Sequence, residues 1–176
     1  RVVSMYCDQV PGQDLSQDLA KKHGFLIAKT IEEAIVAPSG KDQIAGVLSI
    51  GEHGNYPSTP DTGQLMYPRR RFFDEIVAAM KKTGRIVPVF NDKHLAYSWE
   101  DAKHMYDTAK KLQMPFLAGS SLPVTWREPT IDLPMGCEIE EALVSGYGGL
   151  EAYGFHSLES LQSVVERRRG GETGVW

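Results

Sequence analysis

Three side chains that could carry chemistry stand together directly after a short apolar segment. Residues 86–90 are apolar, and after Asn91 come a carboxylate, an ammonium and an imidazole at Asp92, Lys93 and His94. An apolar run of this length, β-branched at its start, is typical of a strand buried on both faces. In an open α/β sheet, ligands bind just beyond the carboxyl ends of such strands. The segment therefore predicts a functional site at this strand end, although an ordinary polar turn would produce the same pattern.

The composition is that of an ordinary globular protein. The 176 residues carry a net charge of −4, with 19 Lys and Arg against 23 Asp and Glu. A general nucleic-acid binder would normally be basic, and no apolar run approaches the length of a membrane span. We therefore expect neither a nucleic-acid nor a membrane partner. Two cysteines, Cys7 and Cys137, are too few for a disulfide framework and favour a reducing compartment, so we expect a cytoplasmic protein. We also expect both ends of the chain, at Arg1 and Trp176, to be cut.

Apolar periodicity alternates between strands and helices along the first 120 residues. We predict strands at 1–6, 44–50, 86–90 and 115–120, and helices at 15–23, 30–36, 69–82 and 98–112. Thr30 and Ser98 are the expected N-caps of two of these helices. A long loop rich in Gly and Pro begins at Gly51, and loops of this length are usually functional or mobile. The alternation predicts an α/β fold with a Rossmann-like, mostly parallel sheet and helices on both faces.

The pattern changes near residue 126, where we place a domain boundary. Residues 1–125 then form the α/β domain, and residues 126–176 begin a second, α+β domain. Residues 138–153 are ambiguous between strand and helix. Residues 156–169 predict a helix in which Leu158, Leu161, Val164 and Val165 face a core.

Four segments occur in an order that is known from one protein family. They read RVVSMYCD, LAKKHGFLIAKTIEEAI, NDKHLAYSWEDAKHMYDTAKK and GGLEAYGFHSLESL. In turn they resemble the second Rossmann strand, the following helix–strand–helix, the Glu-Lys-Pro segment and the start of the second domain of the Gfo/Idh/MocA (glucose–fructose oxidoreductase / inositol dehydrogenase) family. The resemblance implies an oxidoreductase that transfers a hydride between a nicotinamide cofactor and a sugar or polyol.

The chain departs from the family at both ends. The first Rossmann strand, its GxGxxG loop and most of the C-terminal domain have no counterpart in the sequence. That loop holds the pyrophosphate of the cofactor on a helix N-terminus. We therefore expect the chain as given to bind a dinucleotide poorly.

The resemblance also implies roles for particular residues. Lys93 matches the family's lysine and His156 its histidine, whereas Asp92 stands where the family has Glu, and we expect these three to be catalytic. A base must accept the hydroxyl proton of the substrate, and an ammonium can stabilise developing negative charge. Asp8 would accept the ribose hydroxyls, which favours NAD over NADP. We further expect cofactor contacts from Gly51, Glu52 and His53, and substrate contacts from His94, Tyr56, Trp126 and Glu151.

Two other functions are compatible with the same residues. One is a divalent-metal site of a hydrolase or isomerase, in which His156 and Glu159 face one ion from a single helix face. It would draw its remaining ligands from Glu52, His53, Asp92 and His94. The other is a binding protein that keeps the fold but uses no cofactor. An intact GxGxxG motif upstream in the full gene would separate the oxidoreductase from the binding protein, and metal analysis of the purified protein would test the metal site.

Two further features concern charge and assembly. Arg69, Arg70 and Arg71 open a predicted helix, where positive charge is mildly unfavourable. The three arginines fit either an anion site or a salt-bridged cluster. Incomplete sheet edges and unfinished apolar surface lead us to expect a homo-oligomer.

Overall fold

The computed structural model describes residues 1–174, apart from the side chain of Lys41. The chain is a mixed α/β protein with short parallel sheets. It forms two compact units, Arg1–Ala118 and Gly119–Trp176, whereas the sequence predicts a domain boundary after residue 125. Val175 and Trp176, at the end of the predicted second domain, lie outside the described residues.

The strands are short and form two separate sheets. They are β1 (Ser4–Tyr6), β2 (Leu26–Ala28), β3 (Val47–Ser49), β4 (Val89–Asp92) and β5 (Phe116–Gly119). β1 pairs in parallel with β2, and β3 pairs in parallel with β4, which has β5 on its other side. The α/β class and the parallel pairing are confirmed, but the strands form a pair and a triplet rather than one sheet.

The strand predicted at residues 86–90 lies further along the chain. The carbonyl of Pro88 accepts a hydrogen bond from the Val47 amide at 2.9 Å, and β4 proper begins at Val89. Because proline has no N–H of its own, regular pairing starts only after it. Asn91 and Asp92 therefore lie inside the strand rather than beyond its end, and only Lys93 and His94 follow it.

The helices are close to those that the sequence predicts in the first unit. They are α1 (Leu15–His23), α2 (Ile31–Val36), α3 (Arg69–Thr83) and α4 (Trp99–Lys111), with a 3-10 turn at Gly40–Asp42. Thr30 accepts a hydrogen bond from the Glu33 amide at 3.0 Å, and Ser98 accepts one from the Asp101 amide at 3.2 Å. Both predicted N-caps are confirmed.

The core of the first unit lies where α2, α3 and α4 meet the strands. Phe73 and Met80 of α3, Met105 of α4 and Val89 of β4 are all buried, and the Phe73 ring packs against Phe116 of β5 at 5.2 Å. The opposite side of the three-stranded sheet is bare. The alternating residues Leu48 and Leu117 are 70% and 64% exposed, because side chains along a strand alternate between its two faces.

The second unit contains a 3-10 turn at Leu122–Val124, the helix α5 (Leu150–Val165) and a bridge between Cys137 and Arg168. α5 begins at Leu150, ahead of the predicted start at His156, and ends before Arg169. Leu158 was expected to face a core, but it is 64% exposed. None of the described residues of this unit is fully buried, so the apolar face of α5 has too little partner surface within the unit. None of the helices in residues 1–174 has the length and apolar composition that a membrane crossing requires.

Candidate functional site

A group of charged side chains gathers at the carboxyl ends of β3 and β4. We call it the carboxyl-edge cluster, and it consists of Glu52, Arg69, Asp92, Lys93 and His94. Lys93 Nζ lies 2.5 Å from Glu52 Oε2 and 2.6 Å from Asp92 Oδ2. Arg69 Nη2 lies 3.4 Å from Glu52 Oε1, and its Nη1 lies 2.8 Å from His94 Nε2. Four residues that the sequence singles out are thus brought together, and Arg69 joins them.

The backbone is strained at the lysine of this cluster. Lys93 has a φ of 66°, in the left-handed region where a residue with a Cβ costs roughly 1–2 kcal/mol. A side-chain bond from Asn91 Nδ2 to the carbonyl of His94, at 2.8 Å, closes the turn around it. The strain and the two carboxylates together fix the position of the ammonium.

Lys93 retains its proton in this setting. Burial lowers the pKa of Lys93, but its hydrogen bonds to Asp92 and Glu52 outweigh that effect, and the net pKa is raised. A lysine with a raised pKa is an ammonium at neutral pH. It can stabilise negative charge that develops on a reacting oxygen, but it is a poor general base. Two of its three N–H donors are used by the carboxylates.

Arg69 supports the cluster from within the core. It has 0% exposure, and its guanidinium lies 5.2 Å from the centre of the Tyr67 ring. Burial lowers the pKa of Arg69, and the nearby Glu52 carboxylate opposes that shift. Because a guanidinium can only donate, His94 Nε2 must accept, and the proton of a neutral His94 is on Nδ1. Gly51 packs against this side chain, since a Cβ at position 51 would lie 2.6 Å from Arg69 Cγ.

Asp8 lies at the end of β1 in a second group, which we call the Asp8 clamp. The hydroxyls of Tyr6 and Tyr56 donate to Asp8 Oδ1 and Oδ2, each at 2.7 Å, and Arg71 Nη2 lies 2.6 Å from Oδ1. Burial raises the pKa of Asp8, but the bonds from Arg71 and the two tyrosines outweigh it, so the net pKa is lowered. Burial and the Asp8 charge raise the pKa of Tyr56 to about 12.

The Asp8 clamp has a direct consequence for ribose binding. Asp8 is ionised, as a ribose-binding carboxylate must be, but both of its oxygens already accept from hydroxyl groups. A carboxylate has about four lone-pair sites, and Tyr6, Tyr56 and Arg71 use three of them, so a ribose diol that makes two hydrogen bonds must displace one of these donors. Tyr56 is a partner of the predicted cofactor carboxylate, and its expected contact with substrate stays a prediction.

The other predicted site residues are not part of these two groups. His53 is exposed in the loop after β3, with a φ of 61°. Trp126, Glu151 and His156 belong to the second unit, where Trp126 is fully exposed and Glu151 is exposed.

His156 lies in a polar group of the second unit, which we call the Ser120 group. Its Nδ1 is 3.2 Å from Ser120 Oγ, and the Ser120 hydroxyl also donates a hydrogen bond to Glu159 Oε2. The Ser120 amide donates to both carboxylate oxygens of Glu159, at 2.9 and 3.2 Å. Ser120 directly follows β5, and the other two residues lie on one face of α5.

Sequence reasoning missed several of these partners although signals for them exist. The alternation of side chains along β1 puts Tyr6 and Asp8 on one side, and the run of three arginines marks Arg69 and Arg71. Each of the three arginines has a carboxylate partner, so the salt-bridged interpretation of the run describes its contacts. No sequence signal pairs Ser120 with Glu159, because the contact spans 39 positions.

The residues considered for a metal site are divided among these groups. Glu52, Asp92 and His94 belong to the carboxyl-edge cluster, and His156 and Glu159 to the Ser120 group. Across the part of the chain that the structure describes, no group of three or more His, Cys, Asp or Glu side chains is arranged to hold a metal ion. No family model matches the chain, and no curated protein or solved structure is significantly similar to it.

Proposed function

We propose that the chain is the greater part of a Rossmann-like domain, with a following segment, of an oxidoreductase that transfers a hydride between NAD and a sugar or polyol. The order of the strands carries the proposal. A Rossmann sheet has the order 3-2-1-4-5-6. Without its first strand, it leaves a parallel pair, 3-2, and a parallel triplet, 4-5-6. The observed pair β2-β1 and triplet β3-β4-β5 follow this order strand by strand.

Contacts around the gap support the interpretation of the two sheets as flanks of one. Gln9, after β1, exchanges hydrogen bonds with the backbone of Asn55, after β3, at 2.7 and 3.2 Å. On the buried side, Phe72 of α3 packs edge-on against Tyr6 of β1 at 6.5 Å, and α3 also contacts β3. The loops at the carboxyl ends of β1 and β3 thus meet, and α3 contacts both sheets, as the flanks of a single sheet would require.

The chemistry at the strand ends agrees with this function. Asp8 is an ionised carboxylate at the end of β1, where a dinucleotide-binding sheet carries its ribose acceptor. Lys93 is an ammonium beyond β4, suited to stabilising an alkoxide-like oxygen during hydride transfer. The role of base is the one that the family resemblance implies for His156. The absence of a glycine-rich phosphate loop in the sequence makes weak cofactor binding the expectation.

A calorimetric titration of the purified chain with NAD and with NADP tests the cofactor. We expect NAD to bind more weakly than micromolar, NADP more weakly still, and Asp8→Ala to abolish binding of NAD. Asp18→Ala, at an exposed position of α1, is the matched control and should bind NAD as the wild type does. Absence of heat with both nucleotides, or full NAD binding by Asp8→Ala, would contradict the proposal.

Reduction of NAD in the presence of a panel of sugars and polyols tests the reaction. Lys93→Met should remove NADH formation while leaving NAD binding measurable, because the ammonium acts on the reacting oxygen. Lys103→Met removes an exposed lysine of α4 that pairs with Asp107 at 2.6 Å, and it should leave the rate unchanged. Binding of NAD with no turnover on any member of the panel would instead favour a non-catalytic binding protein.

A further inference from the structure

The hydroxyl of Ser120 has three polar neighbours besides its own backbone. It donates to Glu159 Oε2, the Leu122 amide donates to it at 3.3 Å, and His156 Nδ1 lies 3.2 Å away. A serine hydroxyl has one proton to donate and two lone pairs with which to accept. These three contacts therefore use the whole hydrogen-bonding capacity of Ser120 Oγ.

The direction of each bond follows from the chemistry of the partners. A carboxylate can only accept, and Glu159 accepts from the Ser120 amide with both of its oxygens. The Ser120 proton is therefore committed to Glu159, and the amide of Leu122 can only donate. Toward His156 the hydroxyl has just a lone pair left to offer. His156 Nδ1 must then be the donor of that contact, which places a proton on Nδ1.

We propose that Ser120 and Glu159 are positioning residues that hold neutral His156 in its Nδ1–H tautomer and leave Nε2 as the proton acceptor for a hydroxyl-bearing substrate. The substrate class in this inference rests on the function proposed above. In that reaction the substrate CH–OH gives its hydride to NAD and its hydroxyl proton to Nε2, and it becomes a carbonyl compound. The imidazolium that results donates through Nδ1 to Ser120, whose hydroxyl donates to the negative Glu159.

The local backbone favours this arrangement. β5 ends at Gly119, and a Cβ at that position would lie 3.1 Å from Glu159 Oε1. The small residue lets the carboxylate approach the strand end closely enough to accept from the Ser120 amide. The rings of Tyr153 and Phe155 flank the imidazole at 6.4 and 6.0 Å.

Nitrogen NMR of the full chain, labelled with ¹⁵N in its histidines, tests the tautomer directly. Two-bond proton–nitrogen correlations under mildly alkaline conditions distinguish Nδ1–H from Nε2–H, and His156→Gln assigns the signal by its loss. We expect the Nδ1–H pattern for His156 in the wild type. Ser120→Ala should return it to the Nε2–H form that free histidine prefers, whereas Ser120→Thr, which keeps the hydroxyl, should preserve Nδ1–H.

Ser157→Ala is the matched control, because its hydroxyl neighbours His156 in sequence but donates to the Tyr153 carbonyl. It should leave the His156 signal unchanged. An Nε2–H pattern in the wild type overturns the proposal even if no variant folds, and so does an Nδ1–H pattern that survives Ser120→Ala. The spectra need no cofactor, so a chain that fails to bind NAD while His156 shows Nδ1–H refutes the proposed function and leaves the positioning role standing.

Discussion

Asp8 gathers donors from three separate parts of the first unit. Tyr6 comes from β1, Tyr56 from the loop after β3, and Arg71 from α3. A carboxylate held in this way links the two sheets and a helix through charge-assisted hydrogen bonds, which are stronger than neutral ones. The residue predicted to bind the cofactor is thus also a structural link.

Replacing Asp8 with Asn should lower the free energy of unfolding by about 1 kcal/mol at neutral pH. The loss is small because Arg71, the charged partner of Asp8, is 44% exposed and water screens the pair. The pKa of Asp8 is lower in the folded protein than its ordinary value of 3.8. Its contribution is therefore complete above that ordinary value and is lost as the pH falls through the folded pKa.

Urea unfolding of the wild type and Asp8→Asn at neutral and acidic pH measures this dependence. The difference between the urea midpoints of the wild type and Asp8→Asn should become smaller as the pH falls. Asp18→Asn, on the exposed side of α1, should stay close to the wild type at every pH. A gap that widens toward acid would show that the carboxylate of Asp8 is not stabilised by folding.

Glu52 has a different environment, because its partner Arg69 is fully buried. Glu52→Gln keeps the shape of the side chain but removes the negative charge that pairs with the Arg69 guanidinium and the Lys93 ammonium. Breaking a buried pair in this way costs about 3 kcal/mol. Glu75→Gln removes an exposed partner of Arg71 at 3.1 Å and should cost less than about 1 kcal/mol. Equal urea midpoints for the two variants would contradict the buried role of the Arg69–Glu52 pair.

At the scale of elements, local signals predicted the first unit well. Leu15–His23 is the predicted helix residue for residue, and Gly24 ends it with a φ of 67°, a conformation that glycine adopts without cost. These features depend on neighbours within a few positions. The division into two sheets could not be predicted, because the order of strands depends on partners that are distant in sequence.

In the second unit, sequence patterns predicted the helix but not its surroundings. The apolar spacing of residues 158–165 predicted a core-facing helix, and a helix is present. Whether its apolar face is covered depends on surfaces that periodicity does not describe. The Ser120 group was missed for the same reason, since Ser120 is distant in sequence from its two partners on α5 and meets them only in the folded second unit.

The N-cap of α4 offers a test at this scale. Ser98→Ala removes the acceptor for the Asp101 amide and should cost about 1 kcal/mol in the free energy of unfolding, whereas Ser98→Asp should retain most of the stability. Ser39→Ala is the matched control, because Ser39 precedes the Gly40–Asp42 turn without a side-chain cap bond. If both alanine variants unfold at the same urea concentration, the cap of α4 contributes nothing.

At the scale of the whole molecule, the chain leaves much apolar surface in contact with water. Leu48 and Leu117 lie on the bare side of the three-stranded sheet, and β1 and β3 each have one unpaired edge. Exposed strand edges and apolar patches promote association between chains. The net charge of −4 opposes this association only weakly.

We therefore expect light scattering to give a mass above the 19.5 kDa of one chain, rising with concentration. Leu48→Lys should shift the average mass toward the monomer by placing a charge on the bare sheet face. Val10→Lys, at an exposed apolar position outside the strands, should shift it less. A mass of one chain at all concentrations would contradict this expectation.

The contact between Gly51 and Arg69 has a consequence for how related sequences can diverge. A Cβ at position 51 would meet Arg69 Cγ at 2.6 Å, and the buried arginine has no room to withdraw. The two positions are therefore coupled: a long residue at 69 requires the smallest residue at 51. Related sequences that replace Gly51 should also carry a shorter residue at position 69. They would then lose the arginine that contacts both Glu52 and His94. Covariation of these two positions would then mark which relatives retain the carboxyl-edge cluster and which have given it up.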